Sequence, residues 1–365
     1  MTGTTIRPRD HVAAMTAYGV APVEVPPDVD ILNLNMNESA LPPSPAAIDA
    51  GVMAMQRGHL YSDSGWTGLR AAIADVHGLD ADRMLVGAGS MELLGATIAA
   101  FAGPGDQVLS TEYAYAYFRE ASKAAQADYV TVPEPAMRVS VDRVLDAVTP
   151  ATRIVLICNP GNPTGTRIGR DDIVRLRENL PGGVLLVVDE AYAEFADHLG
   201  EQMFDLVNRG DAVVTRTFSK AYALAGMRVG WGLFPPAVAE QVRKLIVPGS
   251  VSTTSQAAAT AAVRDQDYKE RICTETSARR DRFAADLRGL GLAVTESHTN
   301  FVLIDFSGAD RAARADAFLR NRGIVFRPMG FYGLPQCLRA TIGSKDDMAK
   351  TAQALRNWRT EEERS

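Results

Sequence analysis

Two apolar runs, IVLIC at 154–158 and VLLVV at 184–188, constrain this chain more than any other feature. Neither alternates apolar with polar residues, so neither suits a strand with one wet face. Both suit strands buried on two faces of a sheet that helices cover. Strands are expected at 107–110, 129–132, 153–158, 184–188, 212–216 and 229–233. Helices are expected at 91–101, 117–125, 170–179, 236–246 and 268–287, where apolar residues recur at helical spacing. Together they predict an α/β fold with a mostly parallel sheet between helices.

A smaller pattern follows, with strands at 301–306, 324–327 and 337–342 and helices at 311–322 and 346–358, which reads as α+β. A chain of 365 residues is longer than one core usually supports. The expected division is an arm at 1–45 that contributes to the small domain and to dimer contacts, a large domain at 46–255 and a small C-terminal domain at 256–365. Pro22, Pro26, Pro27, Pro42, Pro43 and Pro45 break up the arm, so it should run extended.

The formal charge of −6 argues against a nucleic-acid partner. No run approaches the roughly 20 apolar residues that a membrane span needs, and the first residues lack the apolar core of a signal peptide. A cytoplasmic protein without a membrane partner is expected. Cys158, Cys273 and Cys337 show no paired spacing and read as free thiols. His11, His59, His77, His198 and His298 are scattered, so no metal site is expected.

Four segments carry residues suited to chemistry. VLLVVDE sets Asp189 at the carboxyl edge of a buried strand, where open α/β sheets bind ligands, although an Asp there also caps a following helix. RTFSKAYALAGMRVG brings Thr217, Ser219, Lys220 and Arg228 into one turn beyond a strand. Hydroxyls and a guanidinium suit a phosphate, and enclosure disfavours the lysine charge, leaving the neutral amine that a Schiff base requires. Each cation alone also reads as a solvated surface residue. GAGSME, with Gly89, Ser90 and Met91, lets backbone approach an anion at a helix start, or is a plain strand–helix turn. CNPGNPTGT stiffens a turn from which Asn162 can aim a donor, or is purely structural.

In order and spacing these segments resemble the fold-type I aminotransferases of class I/II, which use pyridoxal 5′-phosphate (PLP), and most of all their histidinol-phosphate branch. NPGNPTG, VVDEAYAEF and TFSKAYALAGMRVGW are the most specific parts, within a likeness running from YGVAPVEVPPDVDILNLNMNE to CLRATIG. The resemblance implies an aspartate aminotransferase-like large domain with a seven-stranded sheet, and transfer of an amino group from an amino acid to a 2-oxo acid. It implies Lys220 as the Schiff-base lysine that also shuttles a proton, and Asp189 as partner of the ring nitrogen. Tyr192 and Asn162 are implied to bond the phenolic oxygen, and Tyr113 to stack on the ring. Gly89, Ser90, Met91, Thr217, Ser219 and Arg228 are implied to hold the phosphate. Tyr61 would reach it from the neighbouring subunit of a homodimer. Arg339 would clamp the substrate carboxylate, with Arg327 and Tyr18 toward the substrate's far end.

The sequence departs from that branch in the arm and entrance. Its usual N-E-N-P reads Asn37-Glu38-Ser39-Ala40, its R-Y-P-D reads Leu60-Tyr61-Ser62-Asp63, and its P-T-Y reads Thr111-Glu112-Tyr113. Met91 stands where an acidic residue is usual. Transfer from an aromatic or secondary-metabolite amino acid, and PLP-dependent decarboxylation, therefore stand as alternatives. A ligand sensor on this fold would need a DNA-binding module, for which the arm is too short.

Overall fold

The computed structural model describes residues 6–15 and 25–364. Tyr18 lies outside them. In the arm, helix α1 (Asp10–Ala13) is followed by the two-residue strand β1 (Leu32–Asn33). Helix α2 (Pro45–Met55) starts at a Ser44 cap whose hydroxyl accepts from Ala47 N, with proline at its first position. Helix α3 (Thr67–His77) ends at Gly78 in the left-handed conformation, the usual stop for a helix.

The sheet is then built by β2 (Met84–Gly87), helix α4 (Ser90–Phe101), β3 (Gln107–Thr111), α5 (Tyr117–Ala124) and β4 (Asp128–Val132). Next come α6 (Val141–Asp146), β5 (Thr152–Cys158), α7 (Arg170–Asn179), β6 (Leu185–Asp189), β7 (Ala212–Thr217) and β8 (Gly230–Leu233). Its seven strands lie in the order β2-β8-β7-β6-β5-β3-β4. Every pairing is parallel except those of β8, which runs against both neighbours. All of β6 and all of β5 but Arg153 are buried, as non-alternating apolar runs require. Each fully buried Val or Leu there contributes about 1.5–3 kcal/mol of transfer free energy.

Helices α8 (Pro236–Arg243), α9 (Thr253–Arg264) and α10 (Gln266–Gly289) follow. The second body holds β9 (Ala293–Val294), β10 (Phe301–Asp305), α11 (Ala309–Arg320), β11 (Ile324–Val325), β12 (Arg327–Pro328), β13 (Cys337–Thr341) and α12 (Lys345–Glu362). Its antiparallel sheet has the order β12-β13-β10-β9. The expected strand at 324–327 is split, because β11 pairs with β1 of the arm while β12 pairs with β13. Leu34 of the arm is buried in the second core.

Two main cores result. The first gathers residues from Ala47 to Cys273 together with Phe301. Apart from Leu34, the second begins at Phe283. Helix α9 packs on α2 and α3 with Ala258, Ala259, Ala262 and Val263 in the first core. Helix α10 contributes Cys273 to the first core and Phe283, Ala284 and Leu287 to the second. Among the described residues no helix is long and apolar enough to cross a membrane.

Candidate active site

The carboxyl ends of β3, β5, β6 and β7 face one crevice of about 400 Å³, which residues of the arm and the second body also line. The strand order reverses between β3 and β5, the place where open α/β sheets bind ligands. Asn162, Asp189, Tyr192, Thr217, Ser219, Lys220, Ser90, Met91, Arg228, Arg327 and Arg339 all line it. Residues from segments far apart in sequence converge there.

Asp189 ends β6, where Oδ1 accepts from Thr215 Oγ1 at 2.9 Å. Burial pushes its carboxyl up to about 7, against the pull of the Thr215 bond. A buried carboxylate held this way favours a cation beside it. Lys220 Nζ donates to the carbonyls of Asn37 at 2.9 Å and Met36 at 3.4 Å. Desolvation in the crevice, reinforced by the charges of Arg339 and Arg228, lowers its amine to about 7. Near neutral pH a substantial share of the amine is unprotonated and nucleophilic.

An anion cradle forms where β7 turns toward β8. Thr217 Oγ1 donates to Ser219 Oγ at 2.9 Å and accepts from Ser219 N at 3.1 Å. Arg228 Nη1 lies 3.5 Å from Ser219 Oγ and donates to Ala225 O at 3.0 Å. Gly89 caps α4 with φ +77, and a Cβ on it would stand 2.5 Å from Arg228 Nη2. On Gly230 a Cβ would stand 2.1 Å from Ser90 N. Glycine at both places lets the start of α4 and Arg228 meet, leaving free helix N–H groups beside a guanidinium. The acid missing at Met91 is supplied one residue on, since Glu92 accepts from Ala88 N at 2.6 Å and from Ser250 Oγ at 2.7 Å.

On the second body, Arg339 of β13 is buried. Nη1 donates to Asn162 Oδ1 at 2.5 Å and Nη2 to Asn35 O at 2.9 Å. That contact fixes the Asn162 amide with its NH₂ turned from the arginine. Arg327 pairs with Arg339 across β12 and β13 and lines the same crevice.

Two expected site residues need comment. Tyr113 is not among the residues that line the crevice and packs against the small cluster of Leu303, Met329, Leu334 and Cys337. Tyr115, two positions on, lines the crevice in its place. The TEYAYAYF segment offers an aromatic at every second position, and the turn leading into α5 decides which faces inward. Tyr61 is fully exposed on this chain. Trp66, near Tyr61 in sequence, is buried, with the Arg243 guanidinium 4.8 Å above its ring. Sequence reading also missed the part played by Asn37, visible only as a member of the arm motif, and Tyr332, which carried no signal.

The profile of the family described as aminotransferase class I and II matches residues 29–355. The chain belongs to that family. It is 40% identical over 350 residues to a histidinol-phosphate aminotransferase of Jannaschia sp. (strain CCS1), covering 96% of this chain and 97% of the relative. To one of Rhodospirillum centenum (strain ATCC 51521 / SW) it is 42% identical over 331 residues, covering 90% and 91%. Among solved structures it is similar to a Sinorhizobium meliloti histidinol-phosphate aminotransferase in complex with pyridoxal-5′-phosphate. There the TM-score is 0.90 at 27% identity, with 99% and 100% of the chains covered.

Proposed function

We propose that this chain is a PLP-dependent aminotransferase that takes the amino group of histidinol phosphate and passes it to a 2-oxo acid such as 2-oxoglutarate. One observation carries the reading. A lysine whose amine titrates near 7, a buried carboxylate and an anion cradle line the same crevice. The donor set suits PLP: hydroxyls, Arg228 and the start of α4 for its phosphate, Asp189 for its ring nitrogen, and Lys220 for its aldehyde. When bound, PLP supplies an aldehyde that condenses with amines and a ring that accepts the electrons of the substrate's Cα–H bond.

The chain's own groups do the rest. Asp189 would hold the ring nitrogen and favour its protonated form by its charge. Lys220, its amine lowered to about 7, would be a base of suitable strength to take the substrate's Cα proton and return it. Arg339 offers its fork to a carboxylate or to the polar group standing in its place, and Arg327 offers positive charge to a phosphate. Tyr115 provides a flat face for the ring, in the role expected of Tyr113.

The reading includes a homodimer. Ile48, Val52, Met53 and Met55 leave an exposed apolar strip on α2, continued by Leu60 and Tyr61. Such a strip suits burial against a second copy, with Tyr61 reaching the partner's crevice. It also includes a reducing, cytoplasmic setting, which suits three buried free thiols. The two bodies are proposed to act as separate domains around the crevice.

The test is spectroscopic. Protein loaded with PLP should lose its visible absorbance band on addition of histidinol phosphate and regain it with 2-oxoglutarate. No response to histidinol phosphate, with a response to another amino donor, would overturn the substrate. A band that forms equally well without Lys220 would overturn the whole reading.

A further inference from the structure

Asn37 sits in the left-handed region at φ 55, a conformation that costs a non-glycine residue free energy unless its surroundings hold it. It is buried, and each of its polar groups is engaged. Its N–H donates to Thr341 Oγ1 at 2.9 Å. Its carbonyl accepts from Lys220 Nζ at 2.9 Å and from Asn300 Nδ2 at 3.0 Å. Oδ1 accepts from Thr341 Oγ1 at 3.3 Å, and Nδ2 donates to the phenolic oxygen of Tyr192 at 2.8 Å.

Counting protons along this chain of bonds gives it a direction. The Thr341 hydroxyl has one proton. Because it already accepts from the Asn37 backbone, it spends that proton on Oδ1. Oδ1 is thereby turned to Thr341 and Nδ2 to Tyr192. An amide NH₂ only donates, so the Tyr192 oxygen accepts there. Its own single proton is left for the crevice that Tyr192 lines.

We propose that Asn37, oriented by Thr341, is a positioning residue that aims the Tyr192 O–H into the crevice, making Tyr192 a hydrogen-bond donor to the phenolic oxygen of bound PLP. This rests on the proposed function and adds to it a residue of the arm, anchored on the last strand of the second body, that sets the electronics of the site. A donor on that oxygen favours its ionised form. Losing the donor therefore raises the pH midpoint at which the visible band of the loaded protein changes.

The substitution Asn37→Gly tests this. Glycine accepts φ 55 and keeps the backbone N–H and C=O that bond Thr341, Lys220 and Asn300. The midpoint should rise by about 0.5–1 pH unit, the size of one lost hydrogen bond. Tyr192→Phe should raise it at least as much. Adding Asn37→Gly to Tyr192→Phe should move it no further, since Asn37 acts only through the hydroxyl. Thr341→Val, which frees the amide to turn, should shift it in the same direction by a smaller amount and serves if the glycine variant does not fold. An unmoved midpoint in both Asn37→Gly and Thr341→Val, or full additivity with Tyr192→Phe, would overturn the proposal and leave the proposed function standing. Absence of any PLP band in the unaltered protein would bring down both.

Discussion

Arg339 and Asn162 meet at 2.5 Å across 177 positions of sequence, joining the second body to the turn that follows β5. The guanidinium donates to Asn162 Oδ1 with one nitrogen and to Asn35 O with another, which fixes its orientation; in the proposed function it meets the amino donor. Arg339→Lys keeps the charge and loses the fork. It is expected to lower kcat/KM for the amino donor by about 10²-fold, as loss of charged hydrogen bonds worth about 1.5–3 kcal/mol implies. The Kd for PLP, measured by titrating cofactor-free protein, should move by less than about 3-fold on the same scale of effects. An equal loss in both would place Arg339 on the cofactor and not on the substrate.

Lys220 sets a pH dependence. Its amine is lowered to about 7 by burial and by Arg339 and Arg228, so the ammonium form dominates below that pH. Only the neutral amine attacks an aldehyde. The rate of PLP capture by cofactor-free protein, followed by stopped-flow absorbance, should rise about tenfold per pH unit below 7 and level off above it. A rate still climbing beyond pH 9 would mean that the amine keeps its ordinary basicity. Borohydride reduction of loaded protein, followed by peptide mass spectrometry, should place the label on Lys220 alone.

Tyr115 and Tyr113 are separable by mutation. Tyr115→Ala removes the aromatic wall of the crevice and should raise the Kd for PLP by about 10-fold, given ring contacts of about 0.5–1.5 kcal/mol beyond area. Tyr113→Ala opens a gap in the cluster around Leu303 and Met329. It should lower thermal stability with little change in cofactor affinity. The opposite pattern in a paired binding and melting measurement would restore Tyr113 to the ring.

Gly89 and Gly230 differ in what a methyl group would strike. At Gly89 it meets the mobile end of Arg228, and φ +77 adds backbone strain of about 1–2 kcal/mol. Gly89→Ala should fold and bind PLP about 10-fold more weakly, because the guanidinium leaves the cradle. At Gly230 the methyl meets the backbone of Ser90, which cannot step aside. Gly230→Ala should cost about 3 kcal/mol or more in a denaturant melt.

Much of this was legible in the chain because the physics was local. Val187 and Val188 announce a doubly covered strand by lacking polar neighbours, and Asp189 ends that strand where the sheet opens. The signals that failed depend on partners far away. Strand β1 is two residues long and exists only because β11 receives it. Helices α2 and α9 are rich in small residues, so their contact face does not stand out by hydrophobicity. Which of Tyr113 and Tyr115 faces inward is set by backbone geometry that both positions share in composition. Asn37 looks like any polar arm residue until Thr341 stands beside it.

That dependence on Thr341 also has a place in time. The last strand is made 304 positions after Asn37. At about 5–20 residues per second, roughly 6–24 s separate the appearance of Lys220 from that of Thr341 on the ribosome. Over this interval the nascent chain carries Lys220 without Arg339 or the strand that seats the arm, so its amine keeps its ordinary basicity. Cofactor capture in the finished geometry is thus a late event in synthesis.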